Sequence, residues 1–484
     1  MTDYQRFYRN EGDYPQLDGD AACQRLSAAI TCRTVNDGTT DGEFARLRQL
    51  IMDSFPAVMA AATTEVVGRS LLIRIPGSDN GLKPVLFMSH MDVVGVEAGT
   101  EGDWTYPPFS GAIAEGYIWG RGSLDIKNQV FAELEAAEYL LCQGRRPARD
   151  VYLAFGEDEE TFNTGSLAMA QLLESRGVEL EFLLDEGGGN IEDGAIYGAP
   201  GVMTCGIHLA EKGYADLTVR ARGQGGHSSN PFGGSSLQRL AQAIAAICAT
   251  AQAAEMPAAL AQCLEAVAPY VTEEPLKSLL TDLEGNSAAI MACCSGVKQL
   301  FPLTATTIAP TMISGGGPAC NVLPQNMEAN INFRLIPGDT VSDLDRRCRE
   351  AVGDLPVELS FAQANDPSRL SPASGFGYEK LLEVLNYYYN DIVFIPSISA
   401  GATDARQYER ICPACLRCSP FMAEASEIGE RVHGTNERIA QRSYVQGIRV
   451  LIRMMEVSCG FCIMSTETAK ASPVQGEVAK IYDF

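Results

Sequence analysis

Basic residues are scarce in this chain. Lys and Arg number 37 against 61 Asp and Glu, for a formal net charge of −24 over 484 residues. Binding a phosphate backbone needs clustered Lys and Arg, so the shortage argues against nucleic acid as a partner. It leaves an anionic substrate open, because a local Arg or a metal reverses the potential at one site. Long apolar runs are missing too. Nothing approaches the ~18 residues of a membrane-spanning helix, so no membrane partner is expected. The opening MTDYQRFYRNEGDY lacks the apolar core of a secretory signal. Without one, the fifteen cysteines read as reduced thiols of a cytoplasmic protein. Internal repeats and long low-complexity segments are absent as well.

Two cysteine clusters stand out, Cys412, Cys415 and Cys418 in CPACLRC and Cys459 and Cys462 in CGFC. Paired CxxC elements can build a zinc knuckle. The first pair lies in a strand-like stretch, however, and the second ends an apolar helix over 443–458. Buried core thiols are therefore the expectation.

Histidine is the most informative shortage, with four in the whole chain. His90 sits in SHMDVV, His227 in GQGGHSSNP and His433 in RVHGTNERI. Imidazoles so few and so placed read as reserved for chemistry. The fourth, His208 in GIHLAEKG, reads as a packing residue at a strand end or hinge.

The apolar pattern gives the architecture. The runs at 70–77, 84–90, 151–156 and 181–185 are continuous and apolar, with helical patterns over 126–143 and 165–175 between the later ones. That predicts an α/β fold with a mostly parallel central sheet buried by flanking helices. Along the first helix Ile126, Val130, Phe131, Leu134, Ala137 and Leu141 share one face. After about residue 212 the texture changes. Segments 214–223 and 327–337 alternate with period two, as strands with one solvated face do. With the Ala-rich helical stretch 237–262 they predict a smaller α+β domain over 213–337. It would be inserted between 1–212 and 338–484 of the main domain, whose pattern resumes with helices at 341–352 and 378–389, a strand at 392–398 and the final helix. The tail after about 466 reads as peripheral.

Acids cluster at the strand ends. His90 and Asp92 lie two apart at the end of one run, on one side of it. Asp125 follows the Gly-rich turn GRGS; its simplest reading is an ordinary helix cap. GEDEET follows 151–156 directly, placing Glu159 and Glu160 there, and DEGGG puts Asp185 and Glu186 after another strand. The carboxyl ends of such strands form the functional crevice of open α/β sheets. Imidazole and carboxylate together suit zinc, and two-metal hydrolytic sites need a bridging carboxylate.

These phrases carry a resemblance. SHMDVV, WTYPPFSG, GRGSLDIK, LAFGEDEET, LLDEGGG, AEKGYADL, GHSSNP, CNVLPQN, GATDARQY and HGTNERI occur in order over about residues 20–450. In them the chain resembles the dizinc carboxypeptidase and aminoacylase family, metallopeptidase family twenty. Within it the chain is most similar to the carboxypeptidase S-type branch with its N-acyl-amino-acid hydrolases. The resemblance implies a zinc-peptidase-like catalytic domain with an inserted lid that also mediates homodimerisation. It implies two divalent ions, zinc with cobalt or manganese as substitutes, on His90, Asp125, Glu160, Asp185 and His433, with Asp125 as the bridge. Asp92 would orient His90, and Glu159 would be the general base. His227 would hold the substrate carbonyl from the lid, in its own or the partner's site. Asn321, Arg334 and the Gly401 loop would receive the substrate's carboxylate. The chain departs from the branch at Gly95, at Ile126 and in the TFNTGS after the acidic pair. The ligand set stays intact, and the substrate stays open.

The implied activity is metal-assisted hydrolysis of an amide beside a free carboxylate, in a small peptide or an N-acyl-amino acid. A desuccinylase or deacylase of a small metabolite shares the same residues. So does, in another class, a catalytically silent peptide-binding homologue.

Overall fold

The centre of the large sheet is built from the continuous apolar runs. In the computed structural model, which describes residues 4–250, 255–399, 401–463 and 481–482, strand Val85–His90 pairs in parallel with Val151–Gly156 on one side and Leu183–Asp185 on the other. Every residue of these three strands is buried, so no polar alternation is needed. Cys415–Arg417 extends the parallel set, and Met203–Glu211 follows it antiparallel. Ser70–Ile75 and Thr63–Val67 continue the other edge antiparallel. Ile392–Ser399 runs parallel to Met203–Glu211. The sheet is thus large and mostly parallel at its centre, as the sequence predicts.

Helix Lys127–Cys142 lies against it, enclosed by helices Gly19–Ile30, Pro56–Ala61 and Gln441–Cys459. The single apolar face read from the sequence is too narrow: Asn128, Gln129, Glu133 and Glu135 on the other faces are buried as well. His90 pairs with Gly156 in register. The parallel strands therefore release the segments after His90, Gly156 and Asp185 at one end of the sheet, side by side.

The second sheet is antiparallel, in the order Thr307–Gly315, Asn326–Leu335, Gly213–Arg222, Val357–Asn365. Ala215, Leu217, Val219 and Ala221 alternate into its core. Its extent corrects the sequence expectation in two ways. Helix Val341–Val352 was expected in the main domain from 338 onward, but it packs Leu344, Cys348 and Val352 on the small sheet, and Val357–Asn365 forms that sheet's edge. The predicted helix 237–262 is divided into Ser236–Cys248 and a second helix, Ala258–Val267, with 251–254 outside the described residues. The second helix sets Leu260, Cys263, Leu264 and Val267 against Tyr197, Ala199 and Ile395 of the large body. The chain thus contributes to the small sheet in two excursions, 213–248 and 307–365.

No described helix is long and apolar enough to cross a membrane. All fifteen cysteines are unpaired. Cys412, Cys415, Cys418 and Cys459 are buried, and Cys462 is exposed. Apart from Ile481–Tyr482, the tail after 466 lies outside the described residues.

Candidate metal centre

His90 is the last residue of its strand and almost fully buried. Its Nδ1 faces Asp92 Oδ1 at 3.3 Å and the Asp92 carbonyl at 3.1 Å. Its Nε2 points the other way, 3.2 Å from Asp125 Oδ1, 3.3 Å from Glu186 Oε1 and 3.9 Å from Glu159 Oε2. Asp92 does more than hold the ring. Its two oxygens accept the Glu159 and Glu160 amides, each at 3.2 Å, and Asn36 Nδ2 at 3.0 Å. One buried carboxylate thereby fixes the imidazole and the acidic pair together.

Asp125 comes from the Gly-rich turn. Gly120 and Gly122 have φ of +138° and +89°, a region that favours glycine. The simple reading of Asp125 as a helix cap fails: Ile126 caps Lys127–Cys142 without a side-chain bond. Asp125 instead reaches across, with Oδ1 toward His90 and Oδ2 3.0 Å from His433 Nε2. The turn is held by a residue the sequence reading missed. Glu437 Oε1 accepts the amides of Gly122, Leu124 and Asp125 at 3.0, 2.8 and 3.2 Å. Its Oε2 pairs with Arg121 Nη1 at 2.5 Å, and burial pushes its pKa up to about 7. The signal was indirect: a tight turn leaves several amide donors that need an acceptor.

His433 completes the far side, at φ +61° and half exposed, with its Nε2 also 3.0 Å from Glu160 Oε2. Two groups that could hold a cation result, His90–Asp125–Glu186 and Asp125–Glu160–His433, with the donor atoms of each within 4.8 Å of one another. They share Asp125. Asp185, expected as a ligand, is in neither. It ends its strand, and Glu186, the next residue, faces the opposite way, as strand alternation dictates. The Asp185 carboxylate accepts the Ala405 amide at 2.9 Å and the Glu186 amide at 2.8 Å. Glu186 is the acid that meets His90.

The electrostatics are those of crowded acids. Burial pushes the Glu159 and Glu186 carboxyls well above their ordinary range, and neighbouring acids add to it. Hydrogen bonds to Asp125 and Glu160 raise the His433 pKa to about 10. Among the described residues, the ion-pair partners of Asp125, Glu159, Glu160 and Glu186 are His90 and His433. A second missed residue lies behind His90. Asp404 is buried, accepts Ser166 Oγ at 2.6 Å and Asn163 Nδ2 at 2.9 Å, and packs where a side chain on Gly156 would collide with it. Burial and the Arg417 guanidinium push the His208 imidazole down to about 4.

The expected substrate residues belong to neither group. His227 is exposed on Gly226–His227, which pairs with Val322–Leu323, and its Nδ1 lies 2.8 Å from Ser229 Oγ. The Asn321 carbonyl accepts the Ser228 amide at 2.9 Å beside it. Arg334 stacks 4.7 Å over the Tyr214 ring on the small sheet. Gly401 precedes the turn that carries Asp404 and is exposed.

Known proteins share this arrangement of sequence and fold. Residues 86–457 match the profile of peptidase family M20/M25/M40. A Dictyostelium discoideum protein named probable carboxypeptidase S-like 2 is 31% identical over 436 residues, covering 87% of this chain and 82% of that protein. The human N-fatty-acyl-amino acid synthase/hydrolase is 30% identical over 470 residues, 94% of this chain and 91% of its own. Among solved structures, the M20 family metallo-carboxypeptidase of Sulfolobus solfataricus superimposes with a TM-score of 0.62 at 18% identity, over 90% of this chain and 99% of that one. Human carnosine dipeptidase 1 gives 0.56 at 16% identity, over 93% and 99%.

Proposed function

The chain belongs to peptidase family M20/M25/M40, and on that premise we propose that it hydrolyses the amide bond of an N-acyl-amino acid or short peptide at a pair of divalent cations, zinc in preference. Metal-dependent amide or peptide hydrolysis is the activity of the family; the ion pair and the substrate class are the finer proposal. The observation that carries it is Asp125, which offers one oxygen to each of two ligand groups.

The donor set fits a cation. His90 presents Nε2 to two carboxylates while Asp92 anchors Nδ1, the way a ligating imidazole is held. Mixed imidazole and carboxylate donors suit zinc, cobalt or manganese. His90, Asp125 and Glu186 would hold one ion, and Asp125, Glu160 and His433 the other. Such ions, when bound, lower the pKa of a water and stabilise negative charge on an oxygen. The chain's own groups do the rest. Glu159 belongs to neither group and lies 3.9 Å from His90 Nε2, so its carboxylate is free to take a proton and return it to the leaving amine. Asp92 keeps both the imidazole and the Glu159 backbone in place meanwhile. We assign His227, Asn321, Arg334 and Gly401 to the substrate's carbonyl and carboxylate, reached by closure of the small-sheet body or from a second copy in a homodimer. The related reading, a carboxypeptidase acting on peptides, draws on the carboxypeptidase S-like relative.

Glu159→Gln tests the assignment. It should keep its cation content by elemental analysis and lose turnover about a hundredfold or more. Near-normal turnover on a panel of N-acyl-amino acids and dipeptides would remove Glu159 as the base.

A further inference from the structure

Two of the crossings between the sheets lie side by side: 211–213, which opens the first excursion, and 365–368, which closes the second. They are tied to each other. The Glu211 amide donates to Ser368 Oγ at 2.6 Å, and the Ser368 amide to the Glu211 carbonyl at 3.1 Å. One short turn, Asp404–Tyr408 with Thr403 as its cap, grips both crossings. Thr403 Oγ1 donates to Glu211 Oε1 at 2.7 Å, an oxygen that also accepts Arg417 Nε at 2.5 Å, and all three side chains are buried. Arg406 Nη2 donates to the Asp366 carbonyl on the return at 2.6 Å.

The other face of the turn holds the acids. The Ala405 amide donates to Asp185 Oδ2 at 2.9 Å, and Asp185 Oδ1 takes the Glu186 amide at 2.8 Å. Asp185 therefore fixes the backbone from which the Glu186 carboxylate reaches His90. Burying the Glu211–Arg417 pair costs desolvation that apolar residues would avoid. Glu211 Oε2 faces the Arg406 guanidinium at 3.9 Å, so the same carboxylate also reaches the turn's second grip on the return crossing. What the cluster does supply is a fixed location for Thr403.

We infer that Thr403 is a positioning residue for Glu186: the crossings locate the turn through Glu211, the turn locates Asp185, and Asp185 aims Glu186 at its cation. This rests on the proposal that His90, Asp125 and Glu186 hold a cation. It adds that the placement of the small-sheet body and the affinity of that ion are linked, reciprocally.

The test uses Co²⁺ titration of the metal-stripped 484-residue chain, followed by its absorption bands. Thr403→Val keeps the shape without the hydroxyl, and Asp185→Asn weakens the same link from its other end. Each is expected to bind Co²⁺ at the Glu186 group about tenfold or more weakly, with Thr403→Ser returning toward wild type. The double variant should bind no more weakly than the weaker single one, since both break one chain of contacts. In wild type, Co²⁺ should also slow amide exchange in 209–215 and 365–369, and Thr403→Val should lose that effect. Circular dichroism separates misfolding from weakened binding, and either single variant decides if the other fails to fold. Unchanged affinity in the folded variants, or losses that add, overturns the positioning role while the metal centre stands. A wild-type chain that binds no Co²⁺ overturns both.

Discussion

Asp185 and Glu186 are neighbouring carboxylates with opposite tasks. Asp185 spends its oxygens on the amides of Ala405 and Glu186, and Glu186 carries its own to His90. Glu186→Gln should therefore cost the chain about one of two bound Co²⁺ equivalents under stoichiometric titration. Full occupancy in that variant would return Asp185 to the ligand set. The sequence put both acids at a strand end but could not say which one faces the crevice. With a side-chain period of two, one residue's difference in where the ladder stops exchanges their roles. That His90, Asp92, Asp125, Glu160 and His433 lie together was legible from the family resemblance their phrases carry, whereas the residues alone read Asp125 as a helix cap. Glu437 and Asp404 were not legible, since one accepts the backbone amides of a distant turn and the other the side chains of Asn163 and Ser166, contacts that a linear sequence does not display.

At the scale of elements, the continuous apolar strands were legible because burial on both faces leaves no other reading for Val85–His90 or Val151–Gly156. Helix Val341–Val352 was misassigned for a physical reason. An amphipathic helix declares an apolar stripe, here Leu344, Cys348 and Val352, but not which sheet receives it. The broken helix after 248 was hidden in the same way by Ala, which favours helix wherever it stands. Leu344 lies in the small-sheet core. Leu344→Ala should remove about 2–5 kcal/mol of local stability. Hydrogen exchange should then quicken in Gly213–Arg222 and Val357–Asn365 while Val85–His90 stays protected. Exchange that spread equally into Val85–His90 would mean the two sheets open as one unit, against the separate packing of their cores.

The whole molecule carries a net charge of −24, and part of that charge is buried at one point. Salt and a bound cation would both relieve it, by different physics. Monovalent salt screens exposed charges over a Debye length of about 8–10 Å and hardly reaches buried ones. A site-bound cation acts by mass action, stabilising the folded chain by about 2.7 kcal/mol at a hundredfold excess over its Kd. At fixed ionic strength, micromolar Co²⁺ or Zn²⁺ added to the metal-stripped chain changes screening negligibly. A rise in the thermal midpoint under those conditions therefore reports the acid cluster. Mg²⁺ prefers oxygen donors alone and should give less, because each ligand group contains an imidazole. Glu186→Gln should shrink the Co²⁺ gain while leaving the response to NaCl intact, since it removes a ligand and scarcely alters the total charge. If Mg²⁺ matches Co²⁺, or if Glu186→Gln keeps the full gain, the stabilisation is diffuse relief of an acidic surface and the two groups around Asp125 are not its source.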